Sequence, residues 1–124
     1  MVVADDNEDA AQMLAELLEL LGCSAFTAPN GAAAIELVAR QRPHIAILDL
    51  DMPSVDGFQV VQAIKQRLRA HDCLCVCLSG KVFPHVERQA KEAGFDVVWA
   101  KPMRAEQLID VLESRRRKRR APAG

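Results

Sequence analysis

The sequence has no apolar stretch of the roughly 18 residues that a membrane span needs, and no basic leader running into an apolar segment. Neither a membrane span nor a secretory signal is expected, and the default location is cytoplasmic. A disulfide framework is missing too. The only cysteines are Cys23, Cys73, Cys75 and Cys77, and the last three alternate along one apparent strand, pointing the same way. Such side chains lie roughly 7 Å apart, too far to converge on one metal, so they read as buried small hydrophobes. There is no internal repeat and no linker, and 124 residues leave no room for a second folded domain.

Half of the residues are hydrophobic, which is ample for one core. The net charge of −1 hides an asymmetry, because six of the sixteen basic residues form the run Arg115-Arg116-Arg117-Lys118-Arg119-Arg120. Ten basic residues then face seventeen acids elsewhere, so the body carries about −7. The run has no aromatic residue for base stacking and no recognition-helix pattern, so sequence-specific DNA binding is not expected. Two readings stay open for it: a docking element for an anionic partner, or the solvated end of the last helix.

Five apolar segments alternate with five helical patterns. Strands are expected at Met1 to Ala4, Cys23 to Thr27, Ile45 to Asp49, Cys73 to Ser79 and Val97 to Ala100. Helices are expected at Asp9 to Leu21, Ala32 to Gln41, Phe58 to Ala70, Pro84 to Ala93, and from about Arg104 into the basic run. Gly22 and Gly94 are the stop signals of the first and fourth. Strict alternation predicts an α/β fold, a doubly wound five-stranded parallel sheet with helices on both faces.

In such sheets the crevice for chemistry lies beyond the carboxyl ends of the strands. Asp5 and Asp6 follow the first strand, Asp49 and Asp51 the third, while Ser79 closes the fourth and Lys101 the fifth. Asp56 lies a little further on, in "HIAILDLDMPSVDG". Carboxylates crowded at neighbouring strand ends repel one another and need a cation to stay ionised together. An all-oxygen donor set suits a hard divalent ion, with Mg2+ the natural choice beside a phosphate oxygen. Lys101 can neutralise one phosphoryl oxygen and Ser79 can donate a hydrogen bond to another. Asp49, between metal and lysine, can then act as nucleophile toward phosphorus and form an aspartyl phosphate.

The stretches "VVADDNED", "ILDLDMPSVDGF", "CLSG" and "WAKP" resemble the four signature blocks of the response-regulator receiver domain of two-component signalling, and the likeness runs from residue 1 to about residue 113. The resemblance implies a flavodoxin-like (βα)5 sheet of order 2-1-3-4-5. It implies Asp49 as phosphoacceptor, Asp5 and Asp6 as metal acids, and the Asp51 backbone carbonyl as a further metal ligand. Ser79 and Lys101 match the hydroxyl and lysine that touch the phosphoryl group. It also implies a histidine kinase or histidine phosphotransfer protein as donor, a downstream protein target, and a homodimer through helix four, strand five and helix five where the chain self-associates. The expectation is a switch that assists its own phosphorylation and dephosphorylation rather than an enzyme. Residues 1–113 would form the receiver domain and 114–124 a basic extension, in a stand-alone regulator or a piece of a hybrid kinase.

The chain departs from the family pattern three residues before the lysine, where Val98 replaces the usual Tyr or Phe and Trp99 stands beside it. Trp99 reads either as a packing residue or as part of a docking face. Asp51 and Lys81 flank the site, where their charges bear on the lifetime of an acyl phosphate. His44, His71 and His85 show no ligand spacing and read as surface or capping residues. Two rivals remain: Asp49-Leu50-Asp51 resembles the Asp-x-Asp motif of haloacid-dehalogenase-type phosphatases, and a degenerate receiver would bind partners without being phosphorylated.

Overall fold

A computed structural model of the chain describes residues 1–52, 57–68 and 73–120. The elements alternate strictly: β1 (Val2–Ala4), α1 (Glu8–Leu20), β2 (Phe26–Ala28), α2 (Gly31–Gln41), β3 (Ile45–Asp49), α3 (Gly57–Leu68), β4 (Leu74–Ser79), α4 (Pro84–Ala93), β5 (Val97–Ala100) and α5 (Ala105–Arg120). The strands form one parallel sheet of order β2-β1-β3-β4-β5, the expected doubly wound architecture. Asp56, His71 and the expected end of the third helix at Ala70 lie outside the described residues.

Local chemistry starts and stops the helices. Asn7 and Asn30 cap α1 and α2, their side-chain oxygens accepting from the N–H groups of Ala10 and Ala33 at 3.1 and 2.8 Å. Pro84 opens α4, where its missing N–H costs nothing. Gly22 and Gly94 follow α1 and α4 at φ 89° and 129°, a backbone region that suits glycine.

Side chains alternate along the strands between two cores. Val3, Ile45, Ile47, Val76, Leu78 and Trp99 face α1 and α5, together with Leu18, Leu108 and Leu112. Ala4, Ala46, Leu48, Cys75 and Cys77 face α2, α3 and α4, against Val38, Val61, Ile64 and Ala90. Both faces are covered, so β3 is buried at every position. The α2–α4 side carries the smaller strand residues, and Cys73, Cys75 and Cys77 all belong to it, as the alternation predicted. Burial raises the Cys77 thiol to about 12, with the charges of Asp51 and Asp49 adding to the effect, so it behaves as a hydrophobe. Trp99 packs in the α1–α5 core at 8% exposure, which favours the first of its two readings.

The second strand is not where the sequence put it. Cys23, Ser24 and Ala25 fall outside β2 because the chain is still leaving α1, with the Cys23 N–H bonded to the Leu18 carbonyl at 3.0 Å. Pairing with β1 begins at Phe26, opposite Val2, and runs on to Ala28, opposite Ala4.

One polar network, unforeseen in the sequence, ties α3 to the sheet. Asp96, just before β5, accepts from the Cys75 N–H at 2.8 Å and from Lys65 at 2.9 Å, while Lys65 also donates to the Cys73 carbonyl at 3.0 Å. Replacing Asp96 by Ala strands the buried Cys75 N–H and is expected to cost about 1–2 kcal/mol in urea unfolding, the partial exposure of the ion pair keeping the loss modest. Burial is the largest single effect and works against the charge of Lys65, but the bond to Asp96 and the negative surroundings together raise Lys65 above its ordinary 10.5. The contribution is therefore complete at neutral pH and disappears as pH climbs through that raised value.

Candidate functional site

The parallel sheet delivers its polar residues to one edge. Asp49 is the last residue of β3, Ser79 the last of β4, Lys101 follows β5, and Asp5 and Asp6 follow β1. The Asp49 side chain is buried at 4% exposure, yet Lys101 Nζ stands 2.8 Å from its Oδ1. The Asp51 N–H donates to the same oxygen at 2.8 Å, turning the chain back over the strand end. The Lys101–Pro102 peptide is cis.

Asp5, Asp6 and Asp49 form a second focus, each offering an oxygen within 4.8 Å of the others. Asp5 also accepts from the Asn7 N–H at 3.0 Å. Burial raises the Asp5 carboxyl above its ordinary value, the Asn7 N–H partly offsets this, and the nearby Asp49 charge adds to the rise. Lys101 pulls weakly the other way. The acidic corner is thus short of positive charge on the side away from Lys101, and its donors are all oxygens, the set a hard divalent ion takes.

Asp51 goes elsewhere. Its Oδ2 accepts from the Gly80 N–H at 2.7 Å, its Oδ1 from the Ser79 hydroxyl at 3.3 Å, and Lys101 Nζ lies 3.4 Å away. Burial alone would raise this carboxyl, but the Gly80 N–H, Lys101 and Ser79 together hold it below its ordinary value. Lys101 is raised: burial opposes its charge, and Asp49, then Asp51, prevail. Ser79 Oγ also accepts from the Lys81 N–H at 3.1 Å, anchoring the loop after β4. The site is therefore a row of acid, amine and hydroxyl beside a carboxylate corner. It borders a groove of about 740 Å³ whose apolar wall includes Met13, Leu14, Leu17 and Met103.

The site side chains expected from the strand ends gather along this edge, in two linked groups: Asp5, Asp6 and Asp49, then Asp49, Lys101, Asp51 and Ser79. The Gly80 N–H is the functional group that sequence reasoning missed; its only signal was a glycine directly after the strand-ending serine. His44 and His85 stand apart from the site, His85 stacked on Phe83 with ring centroids 5.8 Å apart.

An acid at the end of a central strand, a lysine after the last strand and an acidic pair after the first mark a doubly wound α/β domain with a charged crevice at its strand ends, and comparison with known proteins gives the family. The profile described as "Response regulator receiver domain" matches residues 1–113, and the chain belongs to that family, the receiver domain of response regulators in two-component signalling. Receiver domains are signalling switches and generally carry Mg2+ at an acidic pocket. The chemotaxis protein CheY4 of Vibrio cholerae superposes with a TM-score of 0.83 at 25% identity, covering 91% of this chain and 94% of that one. Protein PilG of Pseudomonas aeruginosa is 27% identical over 114 residues, 92% of this chain and 84% of its own length. The peroxide stress-activated histidine kinase mak1 of Schizosaccharomyces pombe is 29% identical over 118 residues, but the chain spans only 7% of that protein. Membership removes the phosphatase rival. No described helix is long and apolar enough to cross a membrane.

Because Asp5 is raised, its charge subtracts from folding stability above that value and stops doing so as pH falls through it. Asp5→Asn keeps the oxygen that Asn7 bonds and removes the charge. In chelator at pH 7 it is expected to stabilise the fold by a few tenths to about 1 kcal/mol in urea unfolding, a gain that shrinks on acidification.

Proposed function

We propose that this receiver domain accepts a phosphoryl group on Asp49 from a phosphohistidine of a histidine kinase or phosphotransfer protein, and that the change is read at a protein-interaction surface. The observation that carries this is the buried Asp49 carboxylate, 2.8 Å from Lys101 and flanked by Asp5 and Asp6. An Asp49 oxygen attacks phosphorus as the donor's P–N bond breaks and its electron pair leaves with the nitrogen. Lys101 neutralises one phosphoryl oxygen and the Ser79 hydroxyl donates to another, so the residues mainly position charge. Asp5, Asp6, Asp49 and the Asp51 backbone carbonyl are the proposed holders of Mg2+, which supplies positive charge beside the transferring group. Asp5 and Asp49 crowd one another without a second cation, and that supports the assignment.

The readout rests on the loop after β4, which Ser79 draws in, because Val98 sits where an aromatic ring usually takes part in the family's switch. Trp99 is a packing residue in this reading. We assign residues 1–113 to the receiver domain and 114–124 to a basic extension, in a cytoplasmic protein with a downstream protein target. Self-association, where it occurs, uses α4, β5 and α5.

Incubation with phosphoramidate and Mg2+ is expected to add one phosphoryl group to the wild type and none to Asp49→Ala, as measured by intact mass. Equal gain in both proteins sinks the assignment of Asp49, and no gain in the wild type favours the degenerate receiver. Mg2+ at about one hundred times its dissociation constant should stabilise the wild type by about 2.7 kcal/mol in thermal unfolding. Asp6→Asn should lose most of that gain, and an equal gain in the variant would remove Asp6 from the metal set.

A further inference from the structure

The donors that a phosphoryl group on Asp49 would require already have an occupant. Asp51 grips the loop after β4 chiefly through Oδ2, on the Gly80 N–H at 2.7 Å; its Oδ1 lies 3.3 Å from the Ser79 hydroxyl, which also faces the Lys81 carbonyl at 3.4 Å, and Asp51 shares Lys101 with Asp49. The Asp51 carboxylate thus contacts Lys101 and the Ser79 hydroxyl, the two groups assigned above to phosphoryl oxygens. A Cβ at position 80 would lie 3.3 Å from Oδ2, closer than ordinary contact, so glycine admits the carboxylate there.

We propose that Asp51 is an internal latch: in the unmodified protein its carboxylate holds the Gly80 N–H, the Ser79 hydroxyl and part of the Lys101 charge, and phosphorylation of Asp49 has to displace it. This deepens the phosphoacceptor reading and rests on it. Asp51 makes no bond to phosphorus; it is a positioning residue acting through Ser79, Gly80 and Lys101. Two further features fit the role. The Asp51 side chain is 42% exposed, so once displaced it can turn into water at little cost. Its N–H, not its carboxylate, makes the 2.8 Å bond that fixes the turn over Asp49, so releasing the side chain leaves the phosphoacceptor in place. The latch also links the two loops, because its anchor lies after β3 and its catch after β4. Displacement passes the β4 loop from the Asp51 carboxylate to the phosphoryl group, which takes over the same donors.

The test uses wild type, Asp51→Ala and Asp51→Asn. Without metal or phosphodonor, amide hydrogen exchange at Gly80 should be faster in Asp51→Ala than in wild type. With phosphoramidate and Mg2+, Asp51→Ala should take up its phosphoryl group about three- to tenfold faster, the effect of a charged hydrogen bond discounted for exposure, with Asp51→Asn between. Unchanged Gly80 exchange overturns the contact. Faster exchange with equal or slower uptake overturns the competition while leaving the proposed function intact, whereas no uptake by any of the three proteins overturns both.

Discussion

The site depends on one constraint: the Asp49 carboxylate, at 4% exposure, has to find positive charge at the end of a buried strand. In the order β3-β4-β5, the lysine that meets it, Lys101, follows a strand two places away. Neighbouring strands lie about 4.8 Å apart, so the charge has to cross roughly 10 Å, and the four-carbon stem of Lys101 makes much of that crossing. The strand between them ends in Ser79, small enough to leave the path open and polar enough to line it. Arginine would carry the charge on a broader, planar head with a fixed fork of donors, a poorer match to a single oxygen in a narrow row.

Opposite the lysine the balance is reversed. β1 leads straight into Asp5 and Asp6, whose oxygens meet those of Asp49. The crevice is polarised along its length, with carboxylates at the β1 end and an amine at the β5 end, and Asp49 belongs to both halves. A dianion brought to Asp49, as proposed above, would meet its attractive partner on one side and call for a second cation on the other. The same crowding that costs folding stability makes the corner receptive to a hard ion.

Much of this was legible in the sequence for identifiable reasons. Apolar runs of strand length, alternating with helical patterns, specify the layer arrangement, and the rule about strand ends collects Asp5, Asp6, Asp49, Ser79 and Lys101. Residues just after a strand need only the right topology to converge. What stayed hidden was set by backbone turns. The aim of the Asp51 carboxylate depends on the path after β3 and on a bare N–H at Gly80, and neither leaves a mark in residue type beyond the glycine. The pairing of Lys65 with Asp96 joins residues 31 apart through the height of α3 above the sheet. β2 starts three residues later than expected, because Cys23 still bonds back to α1 and regular pairing with β1 begins only at Phe26.

The helices that share one sheet face differ in how firmly they are held. α3 sinks Val60, Val61, Ile64 and Leu68 into the core, each worth about 1.5–3 kcal/mol of burial. α4 sinks one residue, Ala90, a methyl group worth about 0.8 kcal/mol. Among the described helices on that face, α4 is thus the one whose seat is shallowest, and it follows directly on the loop that begins at Gly80. The helix beside the crevice is therefore the one on that face held by the least buried side-chain surface, so it would yield first to any force applied through the loop that joins them.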